Sequence, residues 1–183
     1  MDAPWNYNLP RTLKVGGEER PIRTDYRCIL DCFLALTDPD LDNMNKALEV
    51  IDILYLDEID PKDYQEALEK AFWFFNGGQT EESNKKSPQL VSWTQDFSYI
   101  SSAISKVVGQ DIRGIEMHWW TFLSAYMAIG ECYFGQIVAI RDKKARGKTL
   151  DKIDREFYKR NREAIDIKKP LTEAEEEILK EWV

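Results

Sequence analysis

The chain has 183 residues, 43% hydrophobic and 12% aromatic, enough apolar material for one sizeable packed core and too much for a disordered chain. Its net charge of -8 disfavours phosphate-backbone binding by the molecule as a whole. Three cysteines, Cys28, Cys32 and Cys132, cannot pair completely, and the opening MDAPWNYNLP has neither a basic nor an apolar signal region, so a reduced, cytoplasmic protein is expected.

The first predicted element is a hairpin over residues 11–23, RTLKVGGEERPIR, turning at Gly16-Gly17, with Pro21 confining its second strand to an edge. It is too small to stand alone and is expected to lie on helices. A helix over 25–36 follows, capped by Thr24, with Tyr26, Ile29, Leu30, Phe33 and Leu36 inward. Cys28 and Cys32 lie one turn apart on it, but structural zinc needs four Cys or His ligands. The chain offers only three cysteines and His118, on scattered segments, so no metal or cofactor is expected.

Asp38, Asp40, Asp42 and Glu49 fit positions 1, 3, 5 and 12 of a calcium loop. Asn43 in place of the glycine, Asn45 in place of an apolar residue and Lys46 at the ninth position favour instead a helix N-terminus, with Leu41, Met44, Leu48 and Ile51 facing the core. The third helix has Asp60 as its cap, Pro61 at its first position and Gly77-Gly78 at its end. Residues 31–69 hold twelve acids against Lys46 and Lys62, a strongly negative stretch.

Residues 79–89 are a polar loop within the seam 77–89, and Pro88 is expected to start a helix with Trp93, Phe97, Ile100, Ile104 and Val107 along one seam, stopped by Gly109. A central, nearly all-round apolar helix is predicted from Ile115 to Ile129, with Trp119 and Phe122 in the core and His118 and Trp120 more open. Next comes a helix over 131–146 with Phe134, Ile137 and Val138 inward. Another, over 150–165, runs through Leu150, Ile153, Phe157 and Tyr158. Thr172 and Glu175 form a capping box for a last helix with Ile178, Leu179 and Trp182 on one face.

The expected architecture is therefore mainly α: one domain, a bundle of six to eight helices with a small N-terminal β-hairpin. Its parts are the hairpin (1–23), acidic helices (24–78), the loop (79–89), central helices with a basic end (90–165) and the C-terminal helix (171–183). The longest apolar stretch, Trp119 to Ile129, is about half a membrane span.

Catalytic chemistry has little to work with. His118 is the single histidine, with no acid closer in sequence than Glu116. Gly147-Lys148-Thr149 ends like a phosphate loop, but Asp142 stands where its upstream glycine is required. The recognition surface is expected in residues 141–169, where twelve Lys and Arg against six Asp and Glu give +6 and leave -14 elsewhere. A protein partner, or the acidic face of a second copy, suits this segment better than nucleic acid, because no nucleic-acid-binding motif accompanies it.

The run DFSYISSAISKVVGQDIRGIEMHWWTF, the IRDKKARGKTL that follows, the VGG hairpin with IRTDYR, and LTDPDLDNMNKALEVIDILY together resemble a family of bacteriophage and prophage tail proteins, the gene-product-fifteen family, over residues 5 to about 165. The chain departs from the family at VVGQDIR, where an aromatic residue before the turn is expected. The resemblance implies a non-enzymatic tail-morphogenesis factor in the cytoplasm of a Gram-positive host, with a place in the virion tail left open. It further implies likeness to the assembly chaperones that work with tape-measure and tail-tube proteins. It brings no catalytic residues. The candidate partner-binding residues are His118, Trp120, Arg141, Lys144, Arg146, Arg155 and Arg160, with a homo-oligomer or a nucleic-acid-binding regulator using residues 141–169 as alternatives.

Overall fold

Two glycines set the first element. In the computed structural model, which describes residues 8–79 and 88–168, Gly16 and Gly17 both take positive φ (61° and 82°), the two-residue turn whose twist matches the paired strands. Strand β1 (Thr12–Val15) pairs antiparallel with β2 (Glu18–Pro21), Thr12 opposite Pro21 and Val15 opposite Glu18. Leu13 and Val15 are buried, and the Gly16 amide donates to Glu66 Oε2 at 2.9 Å, so the hairpin lies on a helix as expected. A Cβ at Gly16 would come 2.6 Å from Asp63 Oδ2, a second reason for glycine there.

Eight α-helices occur among the described residues, matching the mainly α architecture with a small N-terminal hairpin. They gather into two compact units, one of Met1–Glu82 with Glu116–Leu123, the other of Ser83–Ile115 with Ser124–Val183.

In the first unit, α1 (Tyr26–Thr37) is capped by Asp25 rather than Thr24. The Asp25 carboxylate accepts from the amides of Arg27 and Met117 and pairs with the Arg27 side chain, a combination unavailable to a threonine. Helix α2 (Asn43–Leu54) is capped by Asp42, whose side chain accepts from the Asn45 amide, so this acidic stretch is a helix start. Val50, Ile51 and Leu54 are its buried side, whereas Met44 and Leu48 face outward, against expectation. The apolar stripe of α2 is wider than the surface available to cover it. Arg23 closes the helix by donating to the carbonyls of Asp52, Ile53 and Tyr55.

Asp60 caps a 3-10 turn, Pro61–Asp63, which leads into α3 (Tyr64–Phe75). Gly77 and Gly78, both at positive φ, end α3, with the Gly78 amide donating to the Trp73 carbonyl.

The second unit begins its helices with α4 (Trp93–Val108), capped by Ser92 and ended at Gly109. Pro88 does not start it. A serine can satisfy the first free amides of a helix and a proline cannot. Ile100 and Ile104 are fully buried, while Val107 is exposed. Asp111 caps a 3-10 turn, Ile112–Gly114, and residues 115–118 are not helical.

The central helix is therefore shorter than predicted: α5 is Trp119–Met127, its first five residues in the first unit and the rest in the second. The preceding stretch is extended because it pairs with residues 24–26. The Tyr26 amide donates to the Met117 carbonyl at 2.9 Å, and the Trp119 amide to the Thr24 carbonyl at 2.7 Å.

In the second unit α6 (Tyr133–Ala145) follows, capped by Cys132 through its sulfur and closed by Gly147 at positive φ. The single helix predicted for 150–165 is divided at Asn161 into α7 (Lys152–Arg160) and α8 (Arg162–Ile165). Ile137, Ile140 and Ile165 form a core with Tyr99, Leu150, Phe157, Tyr158 and Ala164 against it. Ile153 is 73% exposed, contrary to the amphipathic pattern, whereas Ile165, beyond the break at Asn161, is buried. The predicted helix 172–182 lies outside the described residues. No helix among the described residues is long and apolar enough to cross a membrane.

Candidate functional site

The structure separates the seven candidate residues. His118 and Trp120 belong to the first unit, and Arg141, Lys144, Arg146, Arg155 and Arg160 to the second.

His118 precedes α5 in extended backbone, not within a helix. Its Nε2 meets the Pro10 carbonyl at 2.9 Å, and its Nδ1 accepts the Trp120 amide at 3.1 Å. A carbonyl only accepts, so Nε2 carries the proton and the ring is neutral. Burial, with Arg11 adding to it against the Pro10 hydrogen bond, holds the imidazole below its ordinary range. The ring lies edge-on to Phe74 and Trp120. His118 is thus a cap and a tie, with both nitrogens occupied.

Trp120, expected to be open, is buried: its Nε1 donates to the Phe74 carbonyl and its ring contacts Trp73 and Phe74. Gly78 permits this, since a Cβ there would come 2.8 Å from the Trp120 ring. Trp119 and Phe122 are core residues as predicted, stacked on each other, with Trp119 Nε1 donating to the Phe75 carbonyl.

Arg141 does not lie on the surface. Its side chain is 5% exposed and forms a two-pronged pair with Asp96, itself fully buried, at 2.6 and 2.9 Å. It also donates to the carbonyls of Ile165, Leu90 and Ala164 at 2.7 to 2.8 Å. A guanidinium has five N–H groups, and all five are used. The second Asp96 partner is the Ser92 amide at 2.9 Å. One ion pair therefore ties together α4, α6, α8 and the segment before α4. The spacing of a basic segment cannot reveal it, because the partner carboxylate lies 45 residues upstream.

Lys144 and Arg146 are exposed but engaged: Lys144 pairs with Asp166 and lies 4.0 Å from the centre of the Tyr158 ring, and Arg146 pairs with Asp142. Burial alone would lower the Lys144 ammonium. Its hydrogen bonds to Asp166 and Tyr158 win and hold it above its ordinary range. Arg155 donates to the carbonyl of Asp151, the residue that caps its own helix. Arg160, with Lys148, Lys152 and Lys159, is exposed and meets no acid among the described residues. Arg155 and Lys168 are likewise exposed and paired with no acid among the described residues, and of these six cations Lys152, Arg155, Lys159 and Arg160 share α7 with exposed Ile153.

Cys28 and Cys32 take no part in a site. Burial pushes the Cys32 thiol up to about 12, which makes it a poor nucleophile. Among the described residues no three His, Cys, Asp or Glu side chains stand where they could share a metal ion. A groove of about 470 Å³ runs along α4, lined by Ser98, Ser102, Ser105, Lys106 and Arg113 among others, and Arg113 there is paired with Asp111.

The sequence profile of the bacteriophage Gp15 protein matches residues 6–167, nearly the whole chain. The chain belongs to the bacteriophage Gp15 protein family. This agrees with the resemblance carried by the MHWWTF and hairpin motifs. Those motifs prove to be structural: the hairpin lies on α3, and His-Trp-Trp caps and packs the start of α5. No curated protein and no solved structure matches the chain.

Proposed function

We propose that this member of the Gp15 family is a non-enzymatic protein of phage tail morphogenesis, an assembly chaperone that holds an apolar helical stretch of the tape-measure or tail-tube protein until polymerisation. One observation carries the reading: apolar side chains exposed on helices (Met44, Leu48, Ile153) stand among charges that have no partner among the described residues. Such surfaces suit transient helix-to-helix capture, in which apolar contact supplies affinity and charge supplies orientation and on-rate. Family membership supplies the phage setting.

Affinity capture with purified tape-measure and tail-tube proteins tests it. At low salt one of them is expected to be retained and to be lost when Lys152, Lys159 and Arg160 are replaced by Ala. Retention of neither protein refutes the chaperone reading. A gel shift of DNA with a steep salt slope would point the same cations at phosphate instead.

A further inference from the structure

Two helices of this chain expose apolar side chains edged with opposite charge, a pair on α2 and a single one on α7. On α2, Met44 (66% exposed) and Leu48 (36% exposed) stand one turn apart, and Asp52 continues the line by another turn, with Glu49 beside it. Neither the Glu49 nor the Asp52 carboxylate pairs with a cation among the described residues, Arg23 reaching only the Asp52 carbonyl. On α7, Ile153 and Arg160 stand two turns apart on one side, with Lys152 and Lys159 further round the exposed face.

The two units carry the same contrast. Residues 8–79 and 116–123 hold eight Lys and Arg against sixteen Asp and Glu, or -8. Residues 88–115 and 124–168 hold thirteen against nine, or +4.

We infer that the chain self-associates head to tail, the Met44–Leu48 ridge of α2 in one copy seating against Ile153 of α7 in the next, with Glu49 and Asp52 facing Lys152, Lys159 and Arg160. A second copy is the occupant because it brings the chemistry each surface lacks: an apolar partner for the exposed side chains and the opposite sign for the unpaired charges. The two surfaces differ, so the contact is heterologous and builds a closed ring or an open chain of copies. One helix laid on another falls below the standard interface, so the association is weak and concentration-dependent. It is also salt-dependent, because screening shortens from about 30 Å at 0.01 M salt to about 3 Å at 1 M. Partner capture is not required for any of this, and the test uses the purified full chain alone, so either idea can fail without the other.

Sedimentation velocity over a concentration series reads it. At about 0.01 M salt the average mass is expected to rise with concentration, and association to weaken at least about tenfold by 1 M. Lys152→Glu/Lys159→Glu/Arg160→Glu makes both surfaces acidic, and Glu49→Lys/Asp52→Lys makes both basic. Each variant alone is expected to stay monomeric, and their mixture to associate, which also rules out loss by misfolding. A monomer at every concentration in low salt overturns the inference, as does undiminished association of either variant or failure of the mixture. Association that survives both reversals but disappears on removal of residues 169–183 assigns the contact to that segment and overturns this pairing.

Discussion

Arg141 and Arg160 lie within one basic stretch and belong to the same second unit, yet the fold uses them in opposite ways. Arg141 spends all five of its N–H groups on a buried carboxylate and three carbonyls, and Arg160 spends none among the described residues. The difference is one of solvation. A cation taken out of water must have every donor satisfied, whereas one left in water is free to meet a partner later. Net charge over a segment therefore says little about which of its members can bind.

The largest effect should come from breaking the buried pair. Arg141→Ala leaves the Asp96 carboxylate buried and uncompensated, for an expected loss of about 3–5 kcal/mol in denaturant unfolding. The double variant Asp96→Leu/Arg141→Met should recover much of it, because removing both charges removes the penalty. A second, smaller effect concerns His118, which lies between the two extremes. Its folded pKa is depressed, so the unfolded chain takes up a proton at higher pH than the folded one. This contribution to stability is present above the unfolded value of about 6.5 and declines as pH falls through that window. Unfolding followed from pH 7 to pH 5 should show the slope, and His118→Asn, which keeps a capping acceptor but does not titrate there, should flatten it. Smallest of all, replacing Lys152, Lys159 and Arg160 with Ala should change stability by no more than about 0.5 kcal/mol per site. A large loss there would erase the distinction between the two classes of cation.

Local signals made much of the fold legible. Gly16-Gly17, the Asp60-Pro61 start, the Gly77-Gly78 stop and the Trp119–Phe122 core all follow from turn chemistry or helical spacing, and the structure has them. What spacing could not give was which neighbour covers a stripe. Met44, Leu48 and Ile153 satisfy the helical period yet face outward, because burial depends on the element opposite rather than on the helix itself. The start of α5 differs from the predicted one for a related reason: residues 116–118 are held extended by backbone bonds that join Met117 to Tyr26 and Trp119 to Thr24, more than 90 positions upstream, and such bonds leave no periodic trace. Of the candidate surface, Arg160 and Arg155 keep their expected exposure. Arg141 and Trp120 were drawn inside by the carboxylate of Asp96 and the carbonyl of Phe74.

The pairing of residues 117–119 with residues 24–26 also sets the order in which the molecule can be made. The first unit contains Glu116–Leu123, so its hairpin and three helices leave the ribosome without the Trp119 ring that meets Phe33 edge-on and the Phe122 ring that stacks on Tyr26. At about 5–20 residues per second, the remaining stretch takes seconds to synthesise, and throughout that time those aromatic faces stay open. By the time Leu123 appears, α4 has already emerged, so the N-terminal unit cannot finish folding before the second has begun.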